Sequence, residues 1–157
     1  MGSGKIQGEL WGAAAERWAS QQERTCRPLW TDVLDALGAG PGIHLLDAGC
    51  GAGGGSADAA SRGCRVTGAD ASAPLIAIAR SRLPNSRFDV CDLEALPYDD
   101  ESFDRVMAIN AVFYCQDQAA AMRELCRVTK HGGLVGVTAW GPMAECEMRD
   151  IFQATNG

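Results

Sequence analysis

The segment LLDAGCGAGGG, Leu45 to Gly55, decides the fold. A short apolar run, Ile43–Ala48, leads into it, and five glycines close it. One carboxylate, Asp47, stands two residues before the first glycine. Glycine permits a tight turn and lets backbone N–H groups come close to a ligand. A buried strand that ends in such a loop therefore reads as a ligand-binding strand-to-helix connection.

Outward from this loop, strands and helices alternate. Downstream, residues 54–62 are rich in Ala and Ser and predict a short helix, and Cys64–Ala69 reads as a second strand. Ala73–Leu83 reads as a helix stopped by Pro84, and Arg87–Cys91 as a third strand. The polar loop DLEALPYDDES precedes a fourth strand, Phe103–Asn110. Asp117–Val128 has Ala121, Leu125 and Val128 at helical spacing. KHGG then turns the chain into a fifth strand, Leu134–Trp140, and Met143–Ala154 predicts a last helix. Upstream, ELWGAAAERWAS (9–20) has helical spacing. Pro28–Leu37 predicts a second helix with Leu29, Val33 and Leu37 on one face.

Parallel strands need crossover connections, so this alternation predicts an α/β protein with a doubly wound, Rossmann-like parallel sheet. The length suits one domain over 1–157, with N-terminal helices over 1–40 and the α/β core over 41–157. Ligands of such sheets lie beyond the carboxyl ends of the strands. The informative loops are then 47–54, 70–73, 92–98, 110–116 and 140–142.

Composition narrows the partners. The formal net charge is -6 and no basic run is present, which gives no support to a nucleic-acid surface. No apolar stretch approaches the ~20 residues of a membrane span, and no apolar leader opens the chain. The seven cysteines form no C-x-x-C pair, and the histidines, His44 and His131, lie far apart. No metal site is expected. Most of the cysteines sit in apolar segments, which suits reduced thiols and a cytoplasmic location.

Gly49, Gly51 and Gly54 fit G-x-G-x-x-G, and an acid, Asp70, closes the second strand. That pattern is shared by dinucleotide sites, where the acid bonds a ribose. Asp47 discriminates between nucleotide ligands. A pyrophosphate on the helix N-terminus would be opposed by a carboxylate there. S-adenosylmethionine carries no phosphate, and its ammonium group would be favoured. An NAD-dependent oxidoreductase accounts for the glycines and Asp70 but gives Asp47 and the D-L-E-A-L-P segment no role.

Four segments in order carry a further resemblance: LLDAGCGAGG, VTGADAS, VCDLEALPYDDESFDRV and ELCRVTKHGGLVGVTAW. Over residues 9–155 the chain resembles the class I S-adenosylmethionine-dependent methyltransferases. In pattern it is most similar to the small-molecule branch with the ubiquinone and menaquinone biosynthesis enzymes. The resemblance implies strand order 3-2-1-4-5 and S-adenosyl-L-methionine as cofactor. It places Asp47, Gly49, Cys50, Gly51 and Gly53 in the first motif, and Asp70, with Ala71 beside it, against the ribose. Asp92 and Leu93 then meet the adenine, and Asn110 and Ala111 the methionine end. It further implies a lid from the N-terminal helices, which carry Trp11 and Trp18; plain packing against the sheet is the other reading. Tyr114 and Cys115 follow the fourth strand on the correct edge to line a substrate pocket, although core or rim packing is the favoured reading for both. No catalytic base is assigned, and His131 reads as structural.

By that resemblance the family continues past the fifth strand with a helix and two more strands, and this sequence is expected to stop near the end of the helix, before those two strands. The expectation is a C-terminally truncated domain with an apolar strand edge, GLVGVTAW, that pairs with a second copy there or swaps its last helix. The function expected is methyl transfer to a small molecule. The alternative is a truncated module that binds the cofactor without methyltransferase activity.

Overall fold

A computed structural model of the chain describes residues 3–141. Five parallel strands form one sheet in the order β3-β2-β1-β4-β5. They are β1 (His44–Ala48), β2 (Arg65–Asp70), β3 (Arg87–Val90), β4 (Phe103–Ile109) and β5 (Thr129–Thr138). The helices are α1 (Gly4–Ala13), the single turn α2 (Ala15–Arg17), α3 (Arg27–Ala36), α4 (Gly54–Ser61), α5 (Ala73–Arg82) and α6 (Gln118–Val128). The predicted helix Met143–Ala154 lies outside the described residues.

Alternation along the strands divides the core between two helix layers. Leu45, Val66 and Met107 pack with Leu34 of α3, with Leu37 at its C-cap and with Ala59 of α4. Leu46, Val106 and Ala108 pack on the other face with Leu125 and Val128 of α6. Because all strands are parallel, Ala48, Asp70, Val90, Ile109 and Thr138 end at one edge of the sheet.

Side-chain caps fix two helix starts. Ser72 accepts from Leu75 N–H ahead of α5, and Asp117 accepts from Ala120 N–H ahead of α6. Arg127, in the last turn of α6, donates to the carbonyls of Leu96 and Tyr98 and to Glu124 and Asp100. It thereby ties the long loop after β3 to the body of the fold.

Three expectations change. The helix expected over 9–20 instead begins at Gly4, ends at Ala13 and is followed by a π turn (Trp18–Gln22) and a 3-10 turn (Glu23–Cys26). Tertiary caps extend its start: Asp92 accepts from Gly4 N–H at 2.9 Å and Glu94 from Ser3 N–H at 3.2 Å. These offset the poor helix propensity of a glycine-rich start. On α3 the buried face is Leu34 and Leu37 with Val33, while Leu29 is exposed. Finally, β5 starts at Thr129 rather than Leu134. Thr129 pairs with Phe103 and Leu134 with Arg105, so KHGG bulges out of a continuing ladder. His131 is exposed at this bulge, at the amino end of β5.

Candidate functional site

The glycine loop is held by the end of β2. The N–H groups of Gly49 and Cys50 donate to the Ala69 carbonyl at 2.7 and 3.0 Å. Gly51 has φ +54°, and a Cβ there would stand 3.4 Å from Trp18 Nε1. Its N–H donates to Asp70 Oδ2 at 2.9 Å, and Asp70 Oδ1 accepts from Ser72 N–H at 2.8 Å. Burial pushes the Asp70 pKa up, and these backbone bonds oppose the rise. Each Asp70 oxygen retains capacity for a second hydrogen bond.

Asp47 is buried in β1 and accepts from Ser56 Oγ of α4 at 2.7 Å. Burial pushes its pKa up to about 7; the Ser56 bond lowers it, while Asp70 and Glu23 raise it further. Asn110, the residue after β4, takes the left-handed conformation at φ +50°. Its N–H donates to Thr138 O and its Oδ1 accepts from Thr138 Oγ1 at 3.2 Å, so β5 fixes this strained position.

These residues converge on a cavity of about 370 Å³ at the carboxyl edge of the sheet. All four tryptophans of the chain, Trp11, Trp18, Trp30 and Trp140, line it with Tyr114. Trp11 meets Trp18 edge-on at 5.2 Å between centroids and Tyr114 at 5.4 Å. The N-terminal segment thus forms one wall. Four acids, Glu23, Asp47, Asp70 and Asp92, also line the cavity, and among the described lining residues there is no Lys, Arg or His. This set of carboxylate acceptors and aromatic rings suits a ligand with an aromatic ring, hydroxyl groups and positive charge. It opposes a phosphate.

Of the residues singled out in the sequence, Asp47, Gly49, Cys50, Gly51, Asp70, Ala71, Asp92, Leu93, Asn110 and Ala111 all stand on the cavity wall. Gly53 does not. It ends the turn through its N–H bond to Cys50 O at 2.9 Å, and a Cβ on it would press on Ala79 of α5 at 3.0 Å. Tyr114 and Cys115 line the cavity, and burial pushes the Cys115 thiol up to about 11, so it is a protonated wall residue. Asp92 accepts from Gly4 N–H and, at 3.0 Å, from Glu94 N–H.

Sequence reasoning missed the segment 21–26 and Trp30. Glu23 is 6% exposed, accepts from Gly54 N–H at 3.0 Å and pairs with Arg82. Its only sequence signal is a charged residue between two amphipathic helices, and the π and 3-10 turns that bury it leave no periodic trace.

Comparison with known proteins gives a consistent result. The family described as Methyltransferase domain matches residues 46–137. A malonyl-acyl-carrier-protein O-methyltransferase of Salmonella typhimurium is 38% identical over 141 residues, covering 90% of this chain and 55% of the relative. A geranyl diphosphate C-methyltransferase of Streptomyces coelicolor, solved with S-adenosyl-L-homocysteine, matches 90% of this chain and 57% of its own. The TM-score is 0.70 and the identity 25%. The 4+2 cyclase SpnF matches with TM-score 0.68 and 31% identity over 71% of this chain and 44% of its own. The chain spans about half the length of the curated relatives it matches. Motif, sheet order and kinship agree: the chain belongs to the class I S-adenosylmethionine-dependent methyltransferase family, whose cofactor is S-adenosyl-L-methionine.

Proposed function

We propose that the cavity binds S-adenosyl-L-methionine and that the chain transfers its methyl group to a small-molecule acceptor. The observation that carries this is the convergence of Asp47, Asp70, Asp92 and the tryptophans on one cavity at the end of the glycine loop. In this reading Asp70 accepts from the ribose hydroxyls, with Ala71 beside it. Asp92 and Leu93 flank the adenine, and Gly49, Cys50, Gly51, Asn110 and Ala111 surround the methionine end. Gly53 acts through the turn. A sulfonium makes its methyl carbon electrophilic and leaves as a neutral thioether. The chain's own work is alignment and exclusion of water, which Trp11, Trp18 and Tyr114 supply by closing the wall. No side chain need act as base unless the acceptor must lose a proton.

The motif pattern favours an acceptor of the quinone-biosynthesis type, whereas the Salmonella relative is named for a malonyl group on a carrier protein. A screen of acceptors with tritiated cofactor, covering phenols, amines and carboxylic acids, tests the function. Methyl incorporation into one class supports it. Cofactor binding without incorporation favours the alternative, a cofactor-binding module, which the likeness to a protein named as a cyclase also supports.

Two further parts of the reading concern setting. Among the described residues β5 has a strand neighbour only on its β4 side, and Leu134 and Val137 are exposed. Pairing of that edge with a second copy belongs to the proposal, and sedimentation at micromolar concentration tests it. So does a cytoplasmic location, favoured by the free thiols of Cys26, Cys50, Cys64, Cys91, Cys115 and Cys126. No helix among the described residues is long and apolar enough to cross a membrane.

A further inference from the structure

Helix α4 starts without a side-chain cap of its own. Its N-cap residue is Gly53, which has no side chain to accept a bond. The first N–H groups of a helix need acceptors, and the helix dipole makes that end attractive to anions. In dinucleotide-binding folds a pyrophosphate fills this place. Here Glu23 Oε1 accepts from Gly54 N–H at 3.0 Å. The carboxylate comes from the N-terminal segment, 31 residues away in sequence, and is buried. Its other oxygen pairs with Arg82. Arg82 is itself fixed, because it donates to Ala52 O at 2.8 Å and to Ala19 O at 3.1 Å.

We infer that Glu23 is a specificity-determining residue for the cofactor: its carboxylate occupies the anion position of the glycine-loop helix and excludes nucleotides that carry a pyrophosphate. The inference rests on the reading of the cavity as a nucleoside-cofactor site. Two effects combine. The carboxylate fills the space against Gly54 N–H and neutralises the Arg82 guanidinium, on a cavity wall that also carries Asp70 and Asp92. A diphosphate would be repelled, whereas a sulfonium or ammonium group is attracted. Removing Glu23 would leave Gly54 N–H and the Arg82 guanidinium facing one empty position, with Arg82 still held by two carbonyls. That pair is an anion site.

The test compares the full chain with Glu23→Ala and Glu23→Gln. Each is titrated with ADP-ribose, which carries a pyrophosphate between two riboses, and with S-adenosylhomocysteine, after circular dichroism has established folding. ADP-ribose is the decisive probe. The natural chain should show no binding up to the detection limit, and Glu23→Ala should bind it at least roughly tenfold more tightly than that limit, the effect of one charge interaction. Added salt should weaken that new binding. A merely structural Glu23 would shift stability without creating affinity for a diphosphate. If Glu23→Ala does not fold, Glu23→Gln tests the charge effect by itself, and a smaller but salt-sensitive gain in ADP-ribose affinity over the natural chain is expected. Glutamine keeps the volume and an acceptor for Gly54 N–H and removes only the charge. A folded variant that gains no affinity for ADP-ribose overturns the inference, as does a natural chain that already binds it. S-adenosylhomocysteine reads the cofactor proposal separately: a natural chain blind to it defeats that proposal, while the ADP-ribose comparison still stands.

Discussion

Replacing Asp47 by Asn should make the folded chain more stable at alkaline pH and less able to hold a cationic ligand. The carboxyl group is buried in β1 and its pKa is pushed up from 3.8 to about 7, first by burial. Between those two values the unfolded chain has lost the proton and the folded chain still binds it. Stability therefore falls as pH rises through this window and is flat above it. The full cost of ionising Asp47 in the fold is about 4 kcal/mol, of which about 3 kcal/mol is incurred between pH 5 and pH 8. Asn keeps an acceptor for Ser56 Oγ but adds an amide that lacks a partner, which costs about 1–3 kcal/mol at every pH. Denaturant unfolding of both proteins at pH 5 and pH 8 is the assay. The difference between the variant and the natural chain should move in the variant's favour by about 3 kcal/mol across that range. Parallel stability curves from pH 5 to pH 8 would refute the reasoning. A bound ammonium or sulfonium favours the ionised form, so affinity of the natural chain for S-adenosylhomocysteine should rise with pH through about 7. That dependence should vanish in Asp47→Asn.

Three other changes have defined outcomes. Asp70→Ala removes an acceptor from Gly51 N–H and from the proposed ribose site. Titration should show affinity for S-adenosylhomocysteine reduced by about 1.5–3 kcal/mol, and an unchanged affinity would take Asp70 out of the site. Gly51→Val places a branched side chain at φ +54° and against Trp18 Nε1, so cofactor binding should be lost in a chain that still folds; retained binding would sink the loop assignment. Arg127→Ala frees the loop after β3 from α6 and should lower stability by about 1–3 kcal/mol without changing the order of ligand preference. A stability equal to the natural chain would show that Leu96 and Tyr98 are held by other contacts.

The sheet was legible in the sequence because each strand is a short apolar run bounded by turn residues, and the glycine loop marks the first carboxyl end. Parallel pairing then brings Asp47, Asp70, Asp92 and Asn110 to one edge, although they are spread over more than sixty residues. The N-terminal segment was less legible. Its first helix is held at its start by Asp92 and Glu94, which are about ninety residues away, and local propensity carries no sign of that. Glu23 was hidden for the same reason: its partners, Gly54 and Arg82, are distant, and its irregular turns break the helical period. Gly53 shows the converse. It belongs to the motif by spacing, but it serves the packing of α5 rather than the cavity wall.

The central claim is that the cavity at the end of the glycine loop takes S-adenosyl-L-methionine. Calorimetric titration of the purified chain with S-adenosylhomocysteine, with NAD as the control, tests it most directly. One-to-one binding of the first in the micromolar range, with none of the second, is the predicted result. A chain that is folded by circular dichroism and binds neither, or binds NAD instead, would contradict the account.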